Sequence, residues 1–397
     1  MRRAIAVFDA DSSSIRFALF EAGGSDAPLF RGVLEQIGIA PRLRVARPGG
    51  EILTEEQWAS DGFDHKVATR EVLSVALDLA RQTPVVAVGH RVAHGGLTYS
   101  APVQIDRQVL AALAALNAFA PQRQPHNLAP IQAILETAPY MLQVACFDTA
   151  FHCDQPPVAQ SYALPRRFSE AGVRRYGFDG LAYEYVAARL AEIAPAAAAG
   201  RIVIARLGNS ASLCAVRAGR SVAATTGFTA FDGLMMGTRC GALDPGVLIH
   251  LMDAYGLGPR ELETVINRQS GLLGVSGLSS DMGELRASGR PAAAEAIDLF
   301  VYRIVREVGS MAAALGGLDG LVFTGGLGES DAETRAAVAK GCRWLGLELD
   351  PTRNALGAGT ISPLDAPIAC WVIPTDEERM VAHHTKAVLN GAAPLSA

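Results

Sequence analysis

Apolar residues in this chain fall in short runs closed by small or polar residues. Ala4–Phe8 is such a run, closed by Asp9-Ala10-Asp11-Ser12-Ser13-Ser14, and a second run, Ile15–Phe20, follows at once. That is strand, tight polar turn, strand. Residues 22–28 and 45–51 are rich in Gly, Pro and Asp and read as loops. Thr54, with Glu55 and Glu56 behind it, reads as a helix start. Val85–Gly89 predicts a buried strand, Asp106 opens a helix to about Phe119 that Pro121 ends, and Val144–Phe147 is a strand leading into Asp148. Strands alternating with helices over the first 150 residues predict an α/β domain.

The second half begins again with the same grammar. Arg201–Leu207 is a strand ending in Gly208-Asn209-Ser210-Ala211-Ser212, and Leu213–Val216 follows before a turn at Ala218-Gly219-Arg220. A strand, small-residue turn and strand near residue 5 and again near residue 202 predict a duplicated core. Ile297, Val301, Ile304, Val308 and Met311 recur at helical spacing and predict a long packed helix over 292–315. Leu321–Thr324 is a strand followed by Gly325-Gly326-Leu327-Gly328-Glu329, and Trp371–Pro374 is a last short strand. Asp376-Glu377-Glu378 then opens a final helix, with acids where the helix dipole favours them.

Composition narrows the class. The chain has 397 residues, about two to three domains at roughly 150 residues each. With 50% hydrophobic and 19% charged residues it can fill its cores, which excludes general disorder. A formal net charge of −5 argues against a general nucleic-acid binder. Of 35 Lys+Arg residues only Lys66, Lys340 and Lys386 are lysine. The arginine excess is a compositional bias, with room for some arginines that grip planar anions. Six cysteines without a CxxC pair suggest neither a zinc knuckle nor a disulfide framework, and fit reduced thiols in the cytoplasm. The first apolar run stops at Asp9, too soon for a signal peptide, and no apolar run is long enough to span a membrane.

Three loops could carry chemistry: 9–14, 208–212 and 325–328 each follow a strand and could present backbone N–H groups to an anion, or could be plain turns. Neither GxxxxGK[ST] nor GxGxxG occurs. Arg91 and Arg239 lie in glycine-framed segments, Gly89–Gly96 and Gly237–Gly241. They would suit a pair of clamps on a transferring phosphoryl group, or be ordinary surface arginines. Asp148, just past a strand, could point into a ligand crevice or cap a helix. Glu377 could be a helix-start acid only, but hard carboxylates with phosphate oxygens would suit Mg²⁺.

These blocks resemble the acetate/propionate kinase family of the sugar-kinase and actin superfamily. The likeness runs from about residue 4 to about 388. It is carried by Asp9–Phe17, Gly89–Gly96, Ala120–Leu128, Phe147–His152, Arg175–Gly180, Leu207–Ser212, Gly227–Gly241, Asp244-Pro245, Ser276–Asp281, Phe323–Glu329 and Val372–Glu378. The resemblance implies an α/β chain with two duplicated actin-like (ribonuclease H-like) domains around an ATP cleft. It places the boundaries at 1–150 joined by the C-terminal helix 378–397, and 151–377. It implies a homodimer and reversible transfer of the ATP γ-phosphoryl group to acetate, giving acetyl phosphate and ADP, with Mg²⁺ or Mn²⁺. Another short or hydroxylated acid such as propionate or butyrate, or a nucleotide-binding regulatory homologue without turnover, are its alternatives. By motif position Arg91 binds the acid, Arg239 stabilises the transition state, and Asp148 is the catalytic carboxylate. Asp179 stands with this catalytic group. Asp9 and Glu377 hold the metal. Ser12, Arg16, Arg206, Leu207, Gly208, Asn209, Ser210, Asp281, Met282, Gly283, Gly326, Leu327, Gly328, Glu329 and Ser330 lie along the nucleotide, and Ala93, Gln122, Phe178 and Ala230 line the acid pocket.

The chain also departs from the family's pattern within the site. Asp9 and Asp11 replace Asn and Gly, and Arg16 replaces Lys. Arg123, Asp179 and Arg206 replace histidines, so the new charges nearly compensate, as in a rewired network. An ionised Asp179 cannot donate a hydrogen bond as a histidine would. It could pair with an arginine, be protonated, or have passed its role to Arg123 or Arg206, and arginine pairing ranks first. In the acid pocket Ala93, Gln122 and Ala230 replace Val, Leu and Pro, which predicts a roomier, more polar pocket than acetate needs.

Overall fold

The computed structural model describes residues 2–24, 26–81 and 83–391. The chain divides into two compact units. One holds the residues up to Cys153 with Gly180–Ala182 and the segment from Asp376 onward; the other holds Asp154–Asp179 and Tyr183–Thr375.

The first unit is built on one eight-stranded sheet. Its strands are β1 (Ala4–Ala10), β2 (Ile15–Glu21), β3 (Pro28–Glu35), β4 (Arg42–Ala46), β5 (Ile52–Gln57), β6 (Val85–Val92), β7 (Val103–Gln104) and β8 (Leu142–Phe147). Their order is β5-β4-β3-β2-β1-β6-β8-β7. β1 to β5 form an antiparallel meander, whereas β1, β6 and β8 run parallel. β1 is buried along nearly its whole length, as a central strand covered on both faces requires. Helices α1 (His65–Leu79), α2 (Arg107–Ala114) and α3 (Gln124–Thr137) follow the meander. Val72 of α1 and Ile134 of α3 join Phe8, Phe17, Leu19 and Leu34 in one core.

One expected element is corrected here. Thr54 does not start a helix but lies in β5, opposite Val45 of β4. Five strands therefore precede the first helix, and strand–helix alternation begins only afterwards. Pairing with β4 satisfies one side of the segment's backbone, and its acids, Glu55 and Glu56, are exposed on an edge strand, where charge discourages further pairing. The helix starts behind Asp64, whose side chain accepts from the N–H groups of Lys66 and Val67, both at 2.9 Å.

The second unit repeats the scheme. Strands β9 (Arg201–Arg206), β10 (Ser212–Arg217), β11 (Arg220–Ala224), β12 (Gly320–Thr324), β13 (Gly359–Thr360) and β14 (Ala369–Val372) lie in the order β11-β10-β9-β12-β14-β13. β9 pairs antiparallel with β10 and parallel with β12, as β1 does with β2 and β6. Both sheets even end in a two-residue antiparallel edge, β7 and β13. The duplication expected from the two turn motifs is present at the level of topology.

Helices here include α4 (Gly180–Ile193, from Tyr183 onward), α5 (Pro245–Tyr255), α6 (Met282–Ser288), α7 (Pro291–Leu315) and α8 (Gly325–Ser330). α7 buries Ala293, Ala296, Phe300, Ile304, Val308, Met311 and Leu315, with Ile297 and Val301 only flanking the core. The buried stripe is thus rotated slightly from the apolar positions that predicted the helix. A last helix, α9 (Glu377–Leu389), returns to the first unit and lies against β1 and β6. Gly89 permits the approach, since a Cβ there would strike Thr385 and Val381. Among the described residues no helix is long and apolar enough to cross a membrane.

Candidate active site

Three parallel strands of the first unit end on one side of the sheet, each with a charged residue near or just past its end. Phe8 of β1 lies opposite His90 of β6, and Arg91 opposite Cys146 of β8. Asp9, Arg91 and Asp148 therefore emerge together, where ligands bind in sheets of this kind. The Asp148 N–H donates to the Val92 carbonyl at 3.0 Å. Arg91 Nε donates to Asp148 Oδ1 and Oδ2 at 3.0 and 3.1 Å, and Nη2 donates to Oδ2 at 2.9 Å. Arg91 Nη1 reaches Asp9 Oδ2 at 3.1 Å. The Asp148 side chain is 0% exposed and that of Arg91 6%. Asp148 is thus the acceptor of a buried arginine fork, not a helix cap.

Arg123, at the head of α3, adds a second cation. Its Nη1 lies 3.7 Å from Asp148 Oδ2 and its Nε 3.9 Å from Asp11 Oδ2. Burial pushes the Asp9 carboxyl up, but the positive charges of Arg91, Arg123 and Arg16 outweigh it and hold Asp9 below the usual carboxylate range. Burial would ease the proton off Arg91; Asp148, Asp9 and Glu377 reverse that and keep the guanidinium charged. His90 behaves differently. Burial pushes it down to about 3, and Nε2 bonds Gln143 Oε1 at 2.8 Å, so it is a neutral packing residue. Ser12 and Arg16 are exposed at and just beyond the β1–β2 turn, where His65 Nε2 bonds the Ser12 carbonyl at 2.8 Å.

Sequence reasoning missed the residues that brace this set. Asn127 Oδ1 accepts the Ala93 N–H at 2.9 Å, while Nδ2 donates to the Ala10 carbonyl. Gln124 bonds both the N–H and the carbonyl of His94 at 3.0 Å. Thr149 Oγ1 accepts the Gly95 N–H at 3.1 Å. α3 thereby ties the end of β1 to the segment after β6. Ala93 is buried beneath it and Gln122 is half-buried just before it.

The second unit assembles its own edge. The Leu207 N–H donates to the Thr324 carbonyl at 2.8 Å, and the Leu207 carbonyl accepts from Leu327 and Gly328 at 2.9 and 3.1 Å. The 207–211 turn and α8 therefore adjoin. Gly325 has φ +77, and a Cβ on it would come within 2.8 Å of the Leu207 carbonyl; a Cβ on Gly326 would meet nothing. The Glu329 carboxylate accepts the N–H groups of Gly325 (2.9 Å) and Thr375 (3.2 Å), so one of its oxygens staples the loop. Asn209 lies beside Gly237, whose N–H donates to its carbonyl at 3.0 Å. Arg239 lies over the Phe231 ring at 5.3 Å. Next to α8 is a pocket of about 470 Å³, lined by Asp281, Met282, Gly283, Leu327 and Ser330 together with Arg286 and Asp331. Five of the residues expected along a nucleotide thus share one cavity. Gly208 and Ser210 lie in the adjoining turn, and Ser330 Oγ donates to the Gly326 carbonyl at 2.6 Å.

Asp179 is paired as the charge pattern suggested. Arg206 Nη1 lies 3.6 Å from its Oδ1, and Ser212 Oγ donates to Oδ2 at 2.7 Å. Phe178 is buried, its N–H donating to Thr226 Oγ1 at 2.9 Å, and Ala230 is half-buried in the same unit. Among the described residues no three His, Cys, Asp or Glu side chains gather into a metal-holding group.

Comparison with known proteins gives the family. The Acetokinase family profile matches residues 4–383. The chain is 48% identical to the acetate kinase of Rhodopseudomonas palustris, over 98% of this chain and all of that one. It is 47% identical to the acetate kinase of Methylocella silvestris, over 99% of this chain and all of that one. Among solved structures it is similar to Porphyromonas gingivalis acetate kinase (TM-score 0.87, 37% identity, 98% of this chain and 100% of that one). It is similar also to a propionate kinase from Francisella tularensis (TM-score 0.90, 32% identity, 97% and 99%).

Proposed function

The chain belongs to the acetokinase family, and from that premise we propose how its residues divide the family's reaction. It is a phosphotransferase with a carboxyl group as acceptor, and the reaction is that of an acetate kinase, reversible transfer of the ATP γ-phosphoryl group to acetate. The observation that carries the division is the buried Arg91 fork on Asp148 and Asp9.

A carboxylic acid with a pKa near 4–5 is already an anion at neutral pH, so it needs no base. The difficulty is bringing it up to a second anion. Arg91, kept charged by its own carboxylates, binds the acid. Asp148 accepts from Arg91 through both oxygens and so orients that guanidinium instead of removing a proton. Arg239 neutralises charge on the transferring phosphoryl group. The 207–211 turn, the α8 loop and the Asp281–Gly283 pocket take the nucleotide.

Oxygen donors of the first unit suit a divalent cation. Mg²⁺ is held through one or two carboxylates plus substrate phosphates, so three protein ligands are not required. Asp9, ionised by its arginine neighbours, and Glu377, whose charge also acts on Arg91, are the residues that would hold it. Bound there, the ion would offset charge on the phosphate oxygens.

In this reading the small side chains of Ala93 and Ala230 and the polar one of Gln122 extend the range of acids beyond acetate. A second copy of the chain covers α5. Its sequence PGVLIHLMDAY is mostly apolar, yet none of its residues is buried. Ile249 is 60% exposed and Met252 42%. The cysteines form no disulfide among the described residues, which supports a cytoplasmic setting.

Trapping acyl phosphate as the hydroxamate, with Mg-ATP and a panel of acids, tests the reading. Wild type should give acetyl phosphate, and propionate or a hydroxylated acid should react at a comparable kcat/KM. Arg91→Ala and Arg239→Ala should lose the product. ATP binding without acyl phosphate from any acid would sink the assignment, and a sharp preference for acetate alone would sink the wider pocket.

A further inference from the structure

We propose that Asp179 is a positioning residue that acts on the nucleotide through Arg206, and that Arg206 is the phosphate-contacting cation of the 207–211 turn. The inference rests on the reading of that turn as part of the nucleotide site.

Asp179 is out of place by two ordinary criteria. It is a non-glycine residue with φ 61, in the left-handed region that side chains rarely adopt. It is also an anion, only 10% exposed, close to a turn assigned to a polyphosphate of the same sign. Its surroundings explain why it stays. Ser212 Oγ donates to its Oδ2 at 2.7 Å, and the Tyr183 hydroxyl lies 2.6 Å from Ser212 Oγ. With the serine proton spent on Asp179, Tyr183 must donate to Ser212. Burial, then the Asp179 charge, push the Tyr183 hydroxyl well above its ordinary range, so the tyrosine keeps the proton this needs. The relay presents Asp179 as an ionised acceptor.

The other oxygen faces Arg206, whose Nη1 is 3.6 Å from Oδ1 and donates to Ser210 Oγ at 3.0 Å. The stem of Arg206 lies against the head of α8, since a Cβ on Gly325 would come within 3.3 Å of its Cγ. Its guanidinium is thus stretched over the turn at the junction of the two glycine loops, with Asp179 and Ser210 fixing its direction. A planar cation held in this way loses little freedom when it meets a phosphate oxygen.

This arrangement predicts a change of sign that a merely structural role would not produce. ADP affinity is measured by calorimetry on the whole chain for wild type, Asp179→Asn, Arg206→Gln and the double variant. Asn keeps the shape of Asp and tolerates the left-handed backbone. Arg206→Gln should weaken ADP about tenfold. Asp179→Asn should weaken it several-fold when Arg206 is present, because the cation is released. In the Arg206→Gln background the same change should tighten ADP, because only repulsion is removed. If Asp179→Asn does not fold, Tyr183→Phe carries the test, weakening ADP with Arg206 present and leaving it unchanged without. Tightening by Asp179→Asn in the wild-type background, or effects that simply add, would overturn the coupling. A wild-type chain that binds no ADP would overturn the nucleotide reading itself, and this inference with it.

Discussion

Arg91 has two carboxylates within hydrogen-bond reach, and its removal leaves Asp148 buried without its fork. Arg91→Ala should therefore cost stability as well as rate. Breaking one side of a buried pair costs about 3–5 kcal/mol, and losing an oriented donor costs about 10²–10³ in rate. Urea unfolding and kcat/KM measured on one preparation check both. His90 makes the opposite kind of prediction. Its folded pKa, about 3, lies below the unfolded value of 6.5, so the unfolded chain takes up the proton first. The stabilisation is whole above pH 6.5 and fades as pH falls towards 3, at about 1.4 kcal/mol per pH unit. A neutral replacement, His90→Gln, should flatten the loss of Tm between pH 6.5 and 4.5; an unchanged slope would count against it. Arg91, Asp148 and Asp9 were legible because each lies at or beside the end of an apolar run. Gln124 and Asn127 were not, because an amide bracing backbone leaves no period in the sequence. The direction of the Glu329 carboxylate was hidden for the same reason.

Two adjacent glycines separate folding from binding at the level of the element. Gly325 has φ +77 and its Cβ would press on the Leu207 carbonyl, whereas Gly326 opens onto empty space. Gly325→Ala should lower Tm and weaken ATP together. Gly326→Ala should leave Tm within error while raising the KM for ATP; an unaltered KM would remove α8 from the nucleotide site. Strands flanking the sites were readable because buried runs admit few alternatives. β5 was not, since two acids after a threonine fit a helix start and a charged edge strand equally well, and only pairing with β4 decides. For α7 the period gave the helix, but the largest side chain on its face, Phe300, set which residues point inward.

At the scale of the whole molecule, an apolar helix without a buried residue asks for a partner. Ile249→Glu on α5, with Met252→Glu as an independent second variant, should convert a dimer into a monomer in sedimentation, with the far-ultraviolet spectrum intact. A dimer that survives both changes would move the interface elsewhere. The duplicated architecture was visible as two strand–turn–strand signatures, but the extension of the first sheet to eight strands was not. Nothing local in the sequence distinguishes a meander that adds strands to a sheet edge from one that starts a helix layer.

The placement of α9 has a consequence in time. It lies on β1 and β6 yet is translated only after the whole second unit. A ribosome adding about 5–20 residues per second needs roughly 10–45 s for that interval. Throughout it β1 and β6 lack their α9 cover, and Arg91 and Asp148 are already made while Glu377 is not. Glu377, the carboxylate proposed for the metal, thus joins Arg91 only after the whole second unit has been made, and a chain stalled before it lacks both that carboxylate and the α9 cover of β1 and β6.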